Sequence, residues 1–236
     1  MGAEGLHRNE AIDFTVERHS ASGDGRILRR NRYLVEEGWE HPMNPGLLGK
    51  DDGRASVAKE YLAIELIAEI KSELCDFQVS AMAGGSSRHN LIASNLIREL
   101  GNRLRRLGCR TYNSDQRVGV KNLHNYFYPD VSVVCGSPIH DPFDRNTIIN
   151  PVLIVEVFSP STQIYDKGKK LSNYQSMASV KQILLVAQDT IRIEHYSRRG
   201  KHWVLSTYED VAAIVSLPNL KSELSMAEVY DLVEFD

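Results

Sequence analysis

At 236 residues the chain is long enough for one sizeable domain, or a domain with an added arm, and for a core that needs no metal or disulfide staple. Its 28 basic and 31 acidic residues leave a formal charge of −3, which excludes whole-protein attraction to nucleic acid and leaves any such binding to a local patch. No stretch approaches the ~18 consecutive apolar residues of a membrane span, and the N-terminal region carries charges throughout with no signal-peptide core. A cytoplasmic protein without membrane contact is therefore expected. The three cysteines, Cys75, Cys109 and Cys135, are odd in number and widely spaced, so they read as reduced, buried thiols.

Residues 1–55 are rich in Gly, Arg, Glu, Asp, His and Asn and are expected to form an extended or disordered arm. The cluster Arg26, Arg29, Arg30 and Arg32 in this arm reads as a solvated charge run. The folded domain is expected over 56–236. It opens with "SVAKEYLAIELIAEIKSEL", whose Val57, Tyr61, Ile64, Leu66, Ile67 and Ile70 fit an amphipathic helix. "CDFQVSAMAG" then alternates towards a strand and ends at Gly84-Gly85. Ser86 and Ser87 are candidate N-caps for "RHNLIASNLIRELGNRLRRLG", where Ile92, Leu96, Leu100, Leu104 and Leu107 recur at helical spacing and Gly108 stops the helix.

Beyond Gly108 the period falls to two. "CRTYNSDQRVGVK" reads as one strand, "PDVSVVCG" as a second and "VLIVEVF" as a third, with a proline-rich loop before the last. "SPSTQIYDKGKKLSNYQSMAS" opens as a turn and continues as a helix, and "VKQILLVAQD" is a fourth strand. "TIRIEHYSRRG" and "KHWVLSTYED" form a C-terminal β-hairpin around Arg199-Gly200, and the tail ends in a short helix. The fold class is thus α/β or α+β, a mixed sheet with flanking helices.

Two acids stand out because they lie in apolar strands. Asp130 follows Pro129 at a strand start, and Glu156 interrupts a run of Val, Leu and Ile. An unpaired carboxylate buried there would cost several kcal/mol or lose its charge. A shared divalent cation with oxygen ligands would keep both ionised; so would separate pairing with Arg, Lys or backbone amides. Asp166, Lys170 and Tyr174, spaced every four residues, share one face of the following helix, which can fold back over the strand end. Lys170 could then act on a water or a phosphate, or could simply pair with Asp166 at the surface.

Together, Pro129-Asp130, the run Glu156-Val157-Phe158-Ser159-Pro160-Ser161-Thr162, and Asp166, Lys170 and Tyr174 resemble the Uma-two family, a bacterial group with the restriction-endonuclease-like PD-(D/E)XK fold. The resemblance covers roughly residues 57–232. It implies a core order αβββαβ with a mixed sheet, and metal-dependent phosphodiester hydrolysis. Asp130 and Glu156 carry over as the metal-holding acids and, with Lys170, as the catalytic set. In the standard arrangement the lysine would stand at residue 158, which is Phe158 here, so the lysine has moved to the next helix. Glu73 and His89 match further family positions and, with Asp166 and Tyr174, complete the candidate site. The chain reads Asp76-Phe77-Gln78 where the family has a turn with glycine.

A Mg²⁺-dependent (or Mn²⁺-dependent) endonuclease acting on nucleic acid, in the first place DNA, is the leading expectation, with Arg98, Arg103, Arg105, Arg106 and Arg110 as candidate phosphate contacts, although "RLRRLG" reads equally as a solvated helix end. Two alternatives stand beside it: a catalytically inactive nuclease-fold module that binds nucleic acid, and a protein-interaction module. "WVLSTY" and the C-terminal helix are possible surfaces for a homodimer, although core packing accounts for their apolar residues as well.

Overall fold

The computed structural model describes residues 53–121, 123–159 and 166–235. The expected arm therefore lies outside the described residues, except that 53–55 already belong to the first helix, α1 (Gly53–Glu65).

The molecule is organised around a six-stranded mixed sheet in the order β11-β10-β9-β8-β6-β3. Its strands are β3 (Cys109–Tyr112), β6 (Val131–Cys135), β8 (Leu153–Phe158), β9 (Gln182–Ala187), β10 (Ile193–Arg199) and β11 (His202–Tyr208). Only β8 and β9 pair in parallel; every other neighbour in this sheet is antiparallel. A second, five-stranded sheet runs β2-β1-β5-β4-β7, comprising β1 (Ser72–Cys75), β2 (Gln78–Ala81), β4 (Arg117–Val120), β5 (Asn125–Phe127) and β7 (Thr147–Ile148). The hairpin β12 (Ile214–Leu217) and β13 (Ser222–Ser225) precedes the short helix α4 (Met226–Val229).

Helix α2 (Ser87–Leu104) covers one face of the larger sheet. Ile92, Leu96, Leu100 and Leu104 are fully buried there against Val131, Val133, Leu153, Val155, Leu184 and Val186. Each such side chain contributes roughly 1.5–3 kcal/mol on burial. Ser86 caps the helix by accepting from the His89 N–H at 3.1 Å, and Gly108 ends the following 3₁₀ turn at φ 72°. The opposite face packs on α3 (Leu171–Ser176) and the five-stranded sheet, through Ile154, Phe158, Ile183, Leu185, Tyr174, Val118 and Phe127. The core order expected from the sequence is present as α2, β3, β6, β8, α3, β9, with β4, β5 and β7 interposed.

Four local expectations are corrected. The first helix stops at Glu65 rather than running to 74, although the apolar period continues. Buried Glu65 accepts from the Ser72 N–H (3.0 Å), the Ser72 hydroxyl (2.7 Å) and the Tyr128 hydroxyl (2.8 Å), which ties the returning chain beside the helix end. Ile67 and Ile70 are left exposed. The chain then forms the hairpin β1–β2, whose turn residues Asp76 and Phe77 take φ of 49° and 70°. Left-handed backbone is costly for Phe. The Asp76 N–H is held by the Asn125 amide oxygen at 3.0 Å, and Arg54 lies 4.6 Å over the Phe77 ring. "CRTYNSDQRVGVK" is two strands in different sheets, separated by a turn in which Asn113 accepts from the Asp115 N–H.

Finally, Cys109 and Cys135 are not separate thiols; they form a disulfide between directly opposed residues of β3 and β6, while Cys75 is buried and unbridged. The bridge pins the edge strand β3 to the strand that starts beside Asp130. It closes a loop with a sequence separation of 26, for which chain entropy gives about 3.5 kcal/mol. The Cys109→Ala/Cys135→Ala variant is expected to lose that amount in urea unfolding, and wild type to lose it on adding dithiothreitol. Equal midpoints in all three would show that the β3–β6 ladder alone holds the edge.

Candidate active site

Asp130 stands one residue before β6. The antiparallel register pairs Val131 with Val155, so its next step places Asp130 opposite Glu156 of β8. Because β6 ends there, the Val157 N–H lacks a strand partner, and Asp130 Oδ2 accepts from it at 2.7 Å. The other oxygen, Oδ1, lies 3.2 Å from His89 Nε2. His89 is brought in by the first turn of α2. A Cβ at Gly85 would stand 2.5 Å from His89 Nδ1, so the absence of a side chain at this position makes room for the imidazole. The hydrogen bond to Asp130 raises the His89 pKa, against the opposing effect of burial.

Glu156 points towards Tyr174 and Lys170 and is buried. Tyr174 of α3, also fully buried, donates to Glu156 Oε1 at 2.6 Å, and Lys170 Nζ lies 3.3 Å from the same oxygen. The Lys170 ammonium also reaches Glu73 Oε1 at 2.9 Å, and that oxygen accepts from the Tyr128 N–H at 3.0 Å. Lys170 is only 7% exposed and Glu73 5%. Glu73 sits buried on β1, beyond the end of the helix expected to contain it. Lys170 is likewise not an exposed surface residue.

The structure thus brings Glu73, Glu156, Lys170 and Tyr174 into direct contact, and Asp130 and His89 into a second pair beside them. Asp166 falls in a π-helical turn, Asp166–Lys170, whose spacing differs from the α-helical one assumed from the sequence, and its side chain lies outside the described residues. Lys170 and Tyr174, spanning the junction into α3, do share the face turned to Glu156.

Two supporting residues escaped the sequence reading. The Asn125 amide donates to Asn173 Oδ1 at 2.7 Å, while the Asn173 amide donates to the Lys169 carbonyl at 2.8 Å. Asn125 also holds the Asp76 N–H, so this buried pair ties the hairpin bearing Glu73 to the helix bearing Lys170. A polar residue at the head of the apolar run "NYF" was the only signal for it. The arginines proposed as phosphate contacts lie elsewhere. Arg98 begins about 13 Å along α2 from His89 at 1.5 Å per residue and meets Glu99 and Asp231. Arg103 meets Glu99 and Glu228, Arg110 donates to the Gly136 carbonyl, and Arg105 and Arg106 are exposed.

Among the described residues no group of three or more His, Cys, Asp or Glu side chains could hold a metal by itself. What the site offers is hard oxygen donors: the carboxylates of Glu73 and Glu156 on one lysine, and that of Asp130 at the register position opposite Glu156. That donor set fits Mg²⁺, which binds through one or two carboxylates and completes its shell with water and phosphate oxygens.

A family model, Uma2, described as "Putative restriction endonuclease", matches residues 58–228. Two proteins of Synechocystis sp. (strain ATCC 27184 / PCC 6803 / Kazusa) are similar. "Uncharacterized protein slr1290" is 37% identical over 155 residues, which cover 64% of this chain and 79% of that one. "Uncharacterized protein sll1609" is 35% identical over 153 residues, covering 63% and 85%. Among solved structures, a putative nuclease belonging to DUF820 from Anabaena variabilis ATCC 29413 superposes with a TM-score of 0.62 at 17% identity, covering 75% of this chain and 98% of its own. The restriction-endonuclease-like mixed α+β fold is shared with that structure.

Proposed function

The chain belongs to the Uma2 family of restriction-endonuclease-like proteins, and from that premise we propose that it is a metal-dependent endonuclease that hydrolyses phosphodiester bonds of DNA. The observation that carries this reading is the meeting of two buried carboxylates, Glu73 and Glu156, on one buried lysine, with Asp130 at the register position opposite Glu156. A core selected for stability alone would not gather them, since apolar residues of equal volume serve stability as well or better.

Asp130 and Glu156 are the residues that would hold Mg²⁺, with Mn²⁺ as a substitute. The ion, when bound, lowers the pKa of the attacking water and offsets charge on the phosphate. The chain's own groups set the stage for this. His89 and the Val157 N–H fix both oxygens of Asp130, and Tyr174 fixes Glu156. Lys170, anchored by Glu73 and Glu156, supplies a positive charge where negative charge develops on the phosphate.

The test is nicking of supercoiled plasmid with Mg²⁺, Mn²⁺ or EDTA. Wild type is expected to nick only with metal, and Asp130→Ala to fall by at least about a hundredfold, the order expected for removing a group that stabilises transition-state charge. Equal cutting by wild type and Asp130→Ala would overturn the assignment. A second reading, a module that binds nucleic acid without cutting it, is favoured by Phe158. This residue stands where the standard lysine would, and it is 4% exposed within the core. Binding in a gel-shift assay with no cleavage under any metal would select that reading.

A further inference from the structure

The strand β11 forms one edge of the six-stranded sheet, and it lacks the devices that usually blunt such an edge. It is seven residues long, "HWVLSTY", without proline or charge, and Val204 and Leu205 are 46% and 51% exposed. Its polar edge is also defined in detail. β10 and β11 are joined by the two-residue loop Gly200-Lys201, with Gly200 at φ 61°, as the first position of a type II′ turn favours. In such a hairpin the flanking residues Arg199 and His202 exchange both hydrogen bonds, and the pattern alternates along the ladder. The even-numbered residues of β11 therefore bond to β10. The N–H and C=O groups of Trp203, Leu205 and Thr207 point away from the sheet.

We propose that this edge pairs with β11 of a second copy of the chain, antiparallel about a two-fold axis through Leu205, joining two six-stranded sheets into one. This inference is independent of what the site described above does. The register follows from the open groups. Leu205 opposite the partner's Leu205, and Trp203 opposite the partner's Thr207, is the symmetric pairing that uses all three outward residues, each pair exchanging both hydrogen bonds. Slipping the strands by one pair leaves one of the three without a mate from the strand.

The charges flanking the strand agree with this register. Lys201, one step before β11, comes opposite the partner's Glu209, one step after it, and the two-fold axis makes the same match twice. Both residues are exposed, and Glu209 Oε1 is already oriented by Arg192 at 2.9 Å. On the sheet surface the half-exposed Leu205 side chains meet across the axis, and Val204 lies opposite the partner's Ser206. A strand whose ends carry opposite charges is complementary to its own antiparallel copy, whereas it would repel a parallel one.

Sedimentation velocity over about 1–200 μM tests this, a range chosen because one pair of strands buries less than a standard interface. Wild type is expected to shift from monomer to dimer across that range. Leu205→Lys places two ammonium groups directly opposite and is expected to weaken the dimer at least about tenfold. Its fold, checked by circular dichroism, should be retained because the site is half exposed. Lys201→Glu is expected to weaken the dimer as well, and Lys201→Glu/Glu209→Lys to restore it. A wild type that stays monomeric, a Leu205→Lys protein that dimerises as well as wild type, or a charge exchange that fails to restore association would each overturn the proposal. None of these readouts depends on cleavage.

Discussion

Lys170→Met is expected to lower folding stability by about 3–5 kcal/mol at neutral pH, the cost of leaving buried carboxylates without their counter-charge. The methionine fills nearly the same volume, so packing against α3 is preserved and the loss is electrostatic. Glu73 and Glu156 both meet this ammonium and are 5% and 4% exposed. Solvent is poorly placed to screen them once the ammonium is gone. Restoring neutrality should therefore restore stability: Glu73→Gln/Glu156→Gln/Lys170→Met is expected to recover most of the loss, because neutral amides in the same place need hydrogen bonds and no counter-ion. Urea unfolding at pH 7 of wild type, single and triple variants gives the cycle. A single variant as stable as wild type would show that the lysine does not bridge the acids. In the nicking assay the same triple variant should remain inactive although it folds, which separates the cost in stability from the chemistry.

That contrast explains why some of the site was legible in the sequence and some was not. Asp130 and Glu156 announced themselves because a lone acid in an apolar strand is chemically conspicuous, and the strand register sets them opposite one another. Lys170 and Tyr174 were recoverable from a four-residue spacing that holds through the junction into α3. Glu73 had a weaker signal, since local periodicity placed it at the end of a long helix. What puts it on a strand is the Glu65 carboxylate bonding to Ser72 and to distant Tyr128. The bond to Tyr128 joins residues 63 apart in the chain, and no window of local sequence contains it. The Asn125–Asn173 link, and the opposition of Cys109 to Cys135, were hidden for the same reason: each depends on which strands become neighbours. The hairpin β10–β11 was legible almost to the residue, because its turn chemistry and its partner are both local.

Below neutral pH, stability is expected to fall by about 3 kcal/mol through His195 alone. This histidine lies on β10, 3% exposed, with its Nε2 2.8 Å from Gln182 Oε1 on the neighbouring strand β9. Burial, with a smaller contribution from the positive charge of Arg199, brings its pKa down to about 4. The unfolded chain titrates near 6.5. Between those values the unfolded state holds a proton that the folded state refuses, so falling pH favours unfolding, by about 1.4 kcal/mol per unit within the window. Above pH 6.5 both states are neutral and the effect is absent. The His89–Asp130 pair acts in the opposite sense: a raised folded pKa adds stability at low pH and gives it up as pH rises through that value. Comparing wild type with His195→Asn isolates the buried ring, because the asparagine amide can donate to Gln182 without ever taking a charge. Urea midpoints at pH 7.5, 6.5, 5.5 and 4.5 should converge or cross as the pH falls, the variant keeping a slope shallower by nearly one proton. Parallel pH profiles for the two proteins would mean that His195 takes its proton in the folded state as readily as in the unfolded one, and the desolvated neutral imidazole would have to be abandoned.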